Sequence, residues 1–176
     1  MRIEGKKMEE EGLLEVARKM CIAARTAPKA KGRDNLLTLT LTGGEKDAVA
    51  AEMQRIGEET QAFFFVRDAA NVRVATALII LGTRIDQMGL PNCGFCGFAD
   101  CEANRTNGGI CAFNTGDLGI AVGSAVGTAS DCRVDNRIMF TAGRAALNLR
   151  LLGDEVRIAY GIPLSVAGKN PFFDRK

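Results

Sequence analysis

Four of the chain's six cysteines, Cys93, Cys96, Cys101 and Cys111, fall in the segment CGFCGFADCEANRTNGGIC with the spacing C-x2-C-x4-C-x9-C. Thiolates are soft ligands for iron and zinc, and a C-x2-C turn delivers two sulfurs to one centre because the chain reverses between them. Cys101 and Cys111 then return to the same stretch, with Gly94, Gly97, Gly108 and Gly109 freeing the backbone where it must wrap a bulky group. Structural zinc sites usually show two C-x2-C knuckles or recruit histidine, whereas this chain has one knuckle and no histidine at all. A cubane [4Fe–4S] cluster takes one thiolate per corner and tolerates uneven spacing. The four thiols are therefore expected to bind such a cluster first, zinc second, with redox-active or merely buried thiols as the remaining reading. Phe95, Phe98, Ile110 and Phe113 would keep water off either metal.

The absence of histidine also removes Ser-His and Cys-His catalysis and the usual proton shuttle near neutral pH. Cys21 lies on the apolar side of a helical pattern and reads as a small core residue, and Cys132, in SDCRVDN, reads as incidental. A second chemical candidate is the loop RTAPKAKGRDN, where Arg25, Lys29, Lys31 and Arg33 could meet the phosphate of a cofactor. The competing explanation is that these cations follow a helix C-terminus, where the helix dipole favours them anyway. Gly119, Gly123 and Gly127 recur at helical spacing with Ala121, Ala125 and Ala129. They suit tight helix packing or a subunit contact better than a ligand face. No Walker or dinucleotide-binding glycine pattern is present.

These residues must be positioned by regular elements. Leu13 to Ala24 repeat at helical spacing until Pro28, predicting a helix over about 9–25; LLTLTLT predicts a strand over 36–42. Thr42 and Glu45 stand at capping-box spacing before a second helix. AFFFV is either a short buried strand or an apolar patch flanking a helix, and RDAANVRVA a short helix. TALIILGT, continuously apolar, reads as a strand covered on both faces that leads straight into the cysteines. Asp117 and Asp135 are candidate caps for two later helices, the second running to Arg150 and Gly153, and VRIAYGIPLS is a last strand ending near Pro163. Phe172 and Phe173, beside Lys169, Asp174 and Arg175, make a terminal segment expected to dock. Interleaved helices and strands imply an α/β or α+β layered architecture in one domain over 1–176.

With 23 basic and 21 acidic residues, a net charge of +2 argues against a nucleic-acid footprint. The longest apolar run is far too short to span a membrane. A cytoplasmic location follows as the expectation, and reduced thiols there favour metal binding over disulfides.

The Cys93-x2-Cys96-Gly97-x3-Cys101 core resembles the four-cysteine [4Fe–4S] domain of corrinoid iron–sulfur proteins and of the iron–sulfur subunits of Rnf-type complexes, in which the fourth cysteine usually lies farther on than Cys111. Over nearly its whole length the chain resembles an uncharacterised prokaryotic family of ferredoxin-domain proteins, in AARTAPKAKGRDN, NCGFCGFADC, DLGIAVGSAV, VDNRIMFTAG and GIPLSVAGKNPFFDR. It is more distantly similar to flavin-dependent nitroreductases, through the loop Pro28–Asn35 and the late element Tyr160-Gly161-Ile162-Pro163. Gly32 and Asp34 replace the Asn and Gln that would address the flavin there. These resemblances imply an α+β fold with a nitroreductase-like central sheet flanked by helices and an inserted cluster loop at about 89–114. They also imply an iron–sulfur redox function with a redox partner protein or a small-molecule electron acceptor. The nitroreductase similarity further implies FMN, its phosphate on Arg25, Lys29, Lys31 and Arg33, and a homodimer. The alternative is a non-catalytic scaffold ordered by structural zinc.

Overall fold

A computed structural model describes residues 2–173; Asp174 and Arg175 of the terminal segment lie outside the described residues. Four antiparallel strands form one sheet in the order β1-β2-β4-β3, with β1 Leu36–Leu41, β2 Ala77–Arg84, β3 Asp135–Asn136 and β4 Val156–Ser165. β2 is central, pairing with β1 from Leu36 opposite Thr83 to Leu41 opposite Leu78, and with β4 from Ala77 opposite Leu164 to Arg84 opposite Val156. Its alternate side chains enter two separate cores. Ala77, Ile79 and Leu81 pack with α1 (Gly5–Thr26) and α5 (Ala112–Asp131), while Leu78 and Ile80 pack with α2 (Gly43–Thr60), α3 (Phe63–Val74) and α6 (Phe140–Asn148). The period of two along a strand thus explains why TALIILGT is apolar throughout: both faces are covered by helices.

α6 lies directly on β4 through two glycines. A Cβ on Gly143 would stand 1.9 Å from the carbonyl oxygen of Ala159, and one on Gly161 would stand 2.4 Å from Ala142 Cβ. On the opposite layer the alanines of α5 (Ala121, Ala125, Ala129) meet α1, whereas Gly119, Gly123 and Gly127 face outward with nothing near them.

Several elements depart from the sequence expectations. AFFFV, of whose two readings the strand does not form, opens α3: Phe65 is buried in the second core, and Phe63 and Phe64 are left on the surface. Thr42 precedes α2 without a side-chain capping bond. Asp117 is not a cap; α5 begins a turn and a half earlier, after Cys111. Asp135 starts the short strand β3 and not a helix, and α6 stops at Asn148, before the left-handed residues Arg150 and Gly153. β4 runs past Pro163 to Ser165. Phe172 does dock, fully buried against the second core, and the Arg137 guanidinium sits 5.3 Å over the exposed Phe173 ring.

Candidate metal centre

The cysteine segment occupies the connection between the end of β2 and the start of α5, interrupted only by α4 (Cys101–Thr106). Cys93 and Cys96 sit in a tight turn in which Asn92, Gly94 and Gly97 have positive φ (55°, 62° and 81°) and the Gly97 amide donates to the Gly94 carbonyl at 2.9 Å. Two thiols can leave such a turn on one side because the backbone takes up the left-handed conformation that glycine adopts at little cost. Cys101 is the first residue of α4, whose N-cap Asp100 accepts from the Ala103 amide at 2.8 Å. Cys111 is the residue before α5, and the positive end of that helix points at its side of the site, which suits a thiolate-bound, anionic group.

All four thiols line one cavity, together with Gln87, Met88, Leu90, Phe98, Asn104 and Phe113. None is in a disulfide, and Cys111 is buried. Among the described residues no three thiol, imidazole or carboxylate groups converge closely enough to hold a single metal ion. A mononuclear tetrahedral zinc site, with Zn–S bonds of about 2.3 Å, would draw its sulfurs to about 3.8 Å from one another. Cys21 and Cys132 do not line the cavity. Cys132 caps the far end of α5, about 30 Å from Cys111 at 1.5 Å per residue. Cys21 sits on α1 with its sulfur 3.7 Å from Thr40 Oγ1, packed against the first core.

Two asparagines that sequence reasoning passed over hold the walls. Asn104, 0% exposed, accepts from Gln87 Nε2 at 2.8 Å and donates to the Ile110 carbonyl at 3.2 Å, tying the arm before Cys93 to the residue before Cys111. Asn114, 1% exposed, accepts the Asp86 amide on Oδ1 at 2.8 Å. The available signal was their placement inside helices, because asparagine is unfavourable in helix interiors and favours caps and turns.

The basic loop holds its neighbours by hydrogen bonds. Lys29 Nζ donates to the carbonyls of Ala24, Arg25 and Ala27 at 3.2, 2.7 and 2.8 Å, closing the end of α1. Arg25 bonds Asp34 and the Leu36 carbonyl. Lys31 reaches the Met88 carbonyl at 3.2 Å, and Arg33 the Asp86 carboxylate at 3.2 Å and the Gln87 carbonyl at 3.4 Å. Two of the four cations therefore grip the arm that leads to Cys93. Burial pushes the Asp34 carboxyl up, but the Arg25 hydrogen bond, the Leu36 amide and the charges of Arg25 and Lys29 outweigh it and hold it below the usual carboxylate range.

Beside the cysteines lies an open apolar cleft of about 390 Å³ between this loop and α5, lined by Pro28, Ala30, Phe95, Phe113, Gly116 and Ile120 among others. Phe95, from the C-x2-C turn and 75% exposed, stacks on Phe113 with ring centroids 5.7 Å apart and planes inclined by 16°. Phe113 belongs to both the cleft and the cysteine cavity.

A family model described as an uncharacterized protein containing a ferredoxin domain matches residues 107–175. An uncharacterized protein of Archaeoglobus fulgidus is 38% identical over 99% of this chain and 98% of its own length. Among solved structures, an FMN-bound nitroreductase from Desulfitobacterium hafniense superposes with a TM-score of 0.60 at 14% identity, over 88% of this chain and 78% of that one. A putative nitroreductase in complex with FMN from Desulfovibrio desulfuricans gives 0.58 at 14% identity, over 92% and 78%. B. megaterium NfrA2 gives 0.55 at 12% identity over 89% of this chain, which spans only 58% of NfrA2. The fold is that of the nitroreductases, as the resemblance implied. No helix among the described residues is long and apolar enough to cross a membrane.

Proposed function

The chain belongs to the family of uncharacterised proteins containing a ferredoxin domain, and from that premise we propose that it is an iron–sulfur redox protein whose Cys93, Cys96, Cys101 and Cys111 ligate one [4Fe–4S] cluster. The observation that carries this reading is the single cavity lined by these four thiols and by neither of the other two. Four thiols at uneven spacing and the absence of histidine suit a polynuclear group with one thiolate per iron better than one zinc ion. Bound there, the cluster would store and release single electrons. Met88, Leu90, Phe98 and Phe113 line the cavity with apolar surface around the thiols, of which Cys111 is buried and the other three half-buried, and Asn104 fixes the two chain segments that present Cys93 and Cys111. Phe95 and Phe113 form the thin wall between the cysteines and the open cleft, so the cleft is the face at which a redox partner or small acceptor would take up an electron.

The four cations of the basic loop already bond α1, β1 and the cysteine arm, and they lie at a helix C-terminus, where the dipole repels anions. We therefore assign them to holding these segments, and no step runs through flavin; a yellow protein that releases FMN on denaturation would overturn this assignment. The outward Gly119, Gly123 and Gly127 face of α5 is where a second copy would pack in a homodimer.

Anaerobic purification, metal analysis and visible and EPR spectroscopy test the function. The expected product is brown and reducible, with about four irons per chain. Cys111→Ser should lose the cubane signature while Cys132→Ser keeps it. A colourless protein carrying one zinc ion would sink the redox reading in favour of a scaffold.

A further inference from the structure

Below the cysteine arm lies a second, small cavity lined by Lys29, Arg33, Asn35, Leu36, Thr83, Asn114, Asp117 and Leu118. Among the described residues two buried side-chain amide nitrogens have no hydrogen-bond partner in the protein, Asn35 Nδ2 and Asn114 Nδ2, and both residues line this cavity. The orientation of Asn114 is not arbitrary. Its Oδ1 accepts the Asp86 amide at 2.8 Å, and turning the side chain over would set an N–H donor against another donor. Its Nδ2 therefore stays turned away from Asp86, unpaired and out of reach of bulk water.

Acceptors are at hand in the same walls. Thr83, 3% exposed, gives its hydroxyl proton to the Arg84 carbonyl at 3.0 Å, leaving the oxygen's lone pairs free. Asp117 accepts the Ala30 amide at 3.1 Å on each carboxylate oxygen, and each keeps further lone-pair capacity. The space available to the centre of a water-sized sphere is about 10 Å³, close to the roughly 10–15 Å³ that one buried water needs. Polar cavities with two to four partners hold water, whereas apolar ones stay dry.

We propose that this cavity binds one ordered water, which accepts from Asn35 and Asn114 and donates to Thr83 and Asp117, and that the resulting joint makes Asn114 a positioning residue for the arm leading to Cys93. An anion is disfavoured because the Asp117 carboxylate forms part of the wall, while Lys29 and Arg33 direct their bonds to carbonyls and to Asp86. The water joins the basic loop, the end of β2 and the first turns of α5. These are the three segments from which the cysteine arm hangs.

The positioning role rests on the cluster reading, but the water does not, so the two are tested separately. A crystal structure at about 1.5 Å should show one peak within about 2.7–3.2 Å of Asn114 Nδ2 and of Thr83 Oγ1. An empty cavity, an Asn114 amide bonded instead to a protein carbonyl, or an anomalous peak there after a bromide soak would overturn the proposal. For the positioning role, Thr83→Val removes one acceptor and should speed amide exchange at Asp86 about tenfold and broaden the EPR signal of the reduced protein. Thr83→Ser, which keeps the hydroxyl, should restore both. Equal exchange in the Val and Ser variants would refute the joint even if the protein carries no cluster at all.

Discussion

Gly109 is the residue at which the architecture of the cysteine cavity can be tested with one methyl group. A Cβ added there would stand 2.7 Å from Asn104 Nδ2 and 2.8 Å from Phe98 Cε2, nearer than side-chain atoms pack. Its φ is not positive, so alanine meets no backbone penalty and the effect is steric alone. Neither neighbour yields freely: Phe98 forms a wall of the cavity, and Asn104 is fully buried with both ends of its amide bonded. Displacing that amide sacrifices two hydrogen bonds at about 1 kcal/mol each and leaves buried polar atoms unpaired at about 1–3 kcal/mol, partly overlapping costs that together come to about 2–4 kcal/mol. Gly109→Ala should therefore lower stability by that amount in urea unfolding, and should raise the rate at which a chelator strips iron from the loaded protein by about 30-fold or more. Two substitutions serve as controls. Gly108→Ala, at φ 63° with open space around it, should cost only about 1–2 kcal/mol of backbone strain. Gly12→Ala, exposed inside α1 with nothing nearby, should stabilise by about 0.5–1 kcal/mol. If Gly109→Ala is as stable as Gly12→Ala and keeps its iron as long as the parent protein, the Asn104 clasp does not organise the site.

Gly143→Ala drives a methyl group against the Ala159 carbonyl, a backbone atom that cannot swing away, so thermal unfolding should report a loss of about 3 kcal/mol or more. The Asp34 carboxyl is held below its ordinary value in the fold, so its contribution is present above about pH 4 and fades as pH falls through the depressed value. Asp34→Asn should then be less stable than the parent at neutral pH and converge with it in acid, as urea titrations across pH will measure; a constant gap down to the lowest pH would contradict the Arg25 pairing. On α5, Gly123→Leu should convert a dimer into monomers in sedimentation velocity, whereas a parent protein that stays monomeric at high concentration would rule out the glycine face as a subunit contact.

What the sequence disclosed and what it hid follow from the range of the forces involved. β2 and α1 were legible because their apolar periods are local, and the close spacing of the four cysteines foretold that they would line one cavity. The start of α5 was misplaced because Asp117 carries a strong local capping signal, yet in the fold its carboxylate is spent on the Ala30 amide, 87 residues away. Cys111, which does precede the helix, makes no side-chain cap at all. AFFFV stayed open between a strand and a helix-flanking patch because aromatic residues suit both, and the core under α3, which takes Phe65, decides for the helix.

The basic loop carries the same lesson into function. Four cations in eleven residues suggest an anion, and nothing local reveals that in the fold they bond carbonyls of α1, β1 and the 85–92 arm and the carboxylates of Asp34 and Asp86. Once those bonds are counted, the loop, Asn114 and Asn104 form a continuous support running from α1 to Cys93 and Cys111. The cysteine cavity is thus held by hydrogen bonds from the body of the fold, and on the proposed cluster reading its retention of iron should track the integrity of residues distant from it in sequence. Arg33→Ala, which removes a grip on Asp86 and Gln87 without touching a thiol, should accordingly hasten iron loss while leaving the spectrum of the iron that remains unchanged, whereas a ligand substitution such as Cys111→Ser should change the spectrum itself.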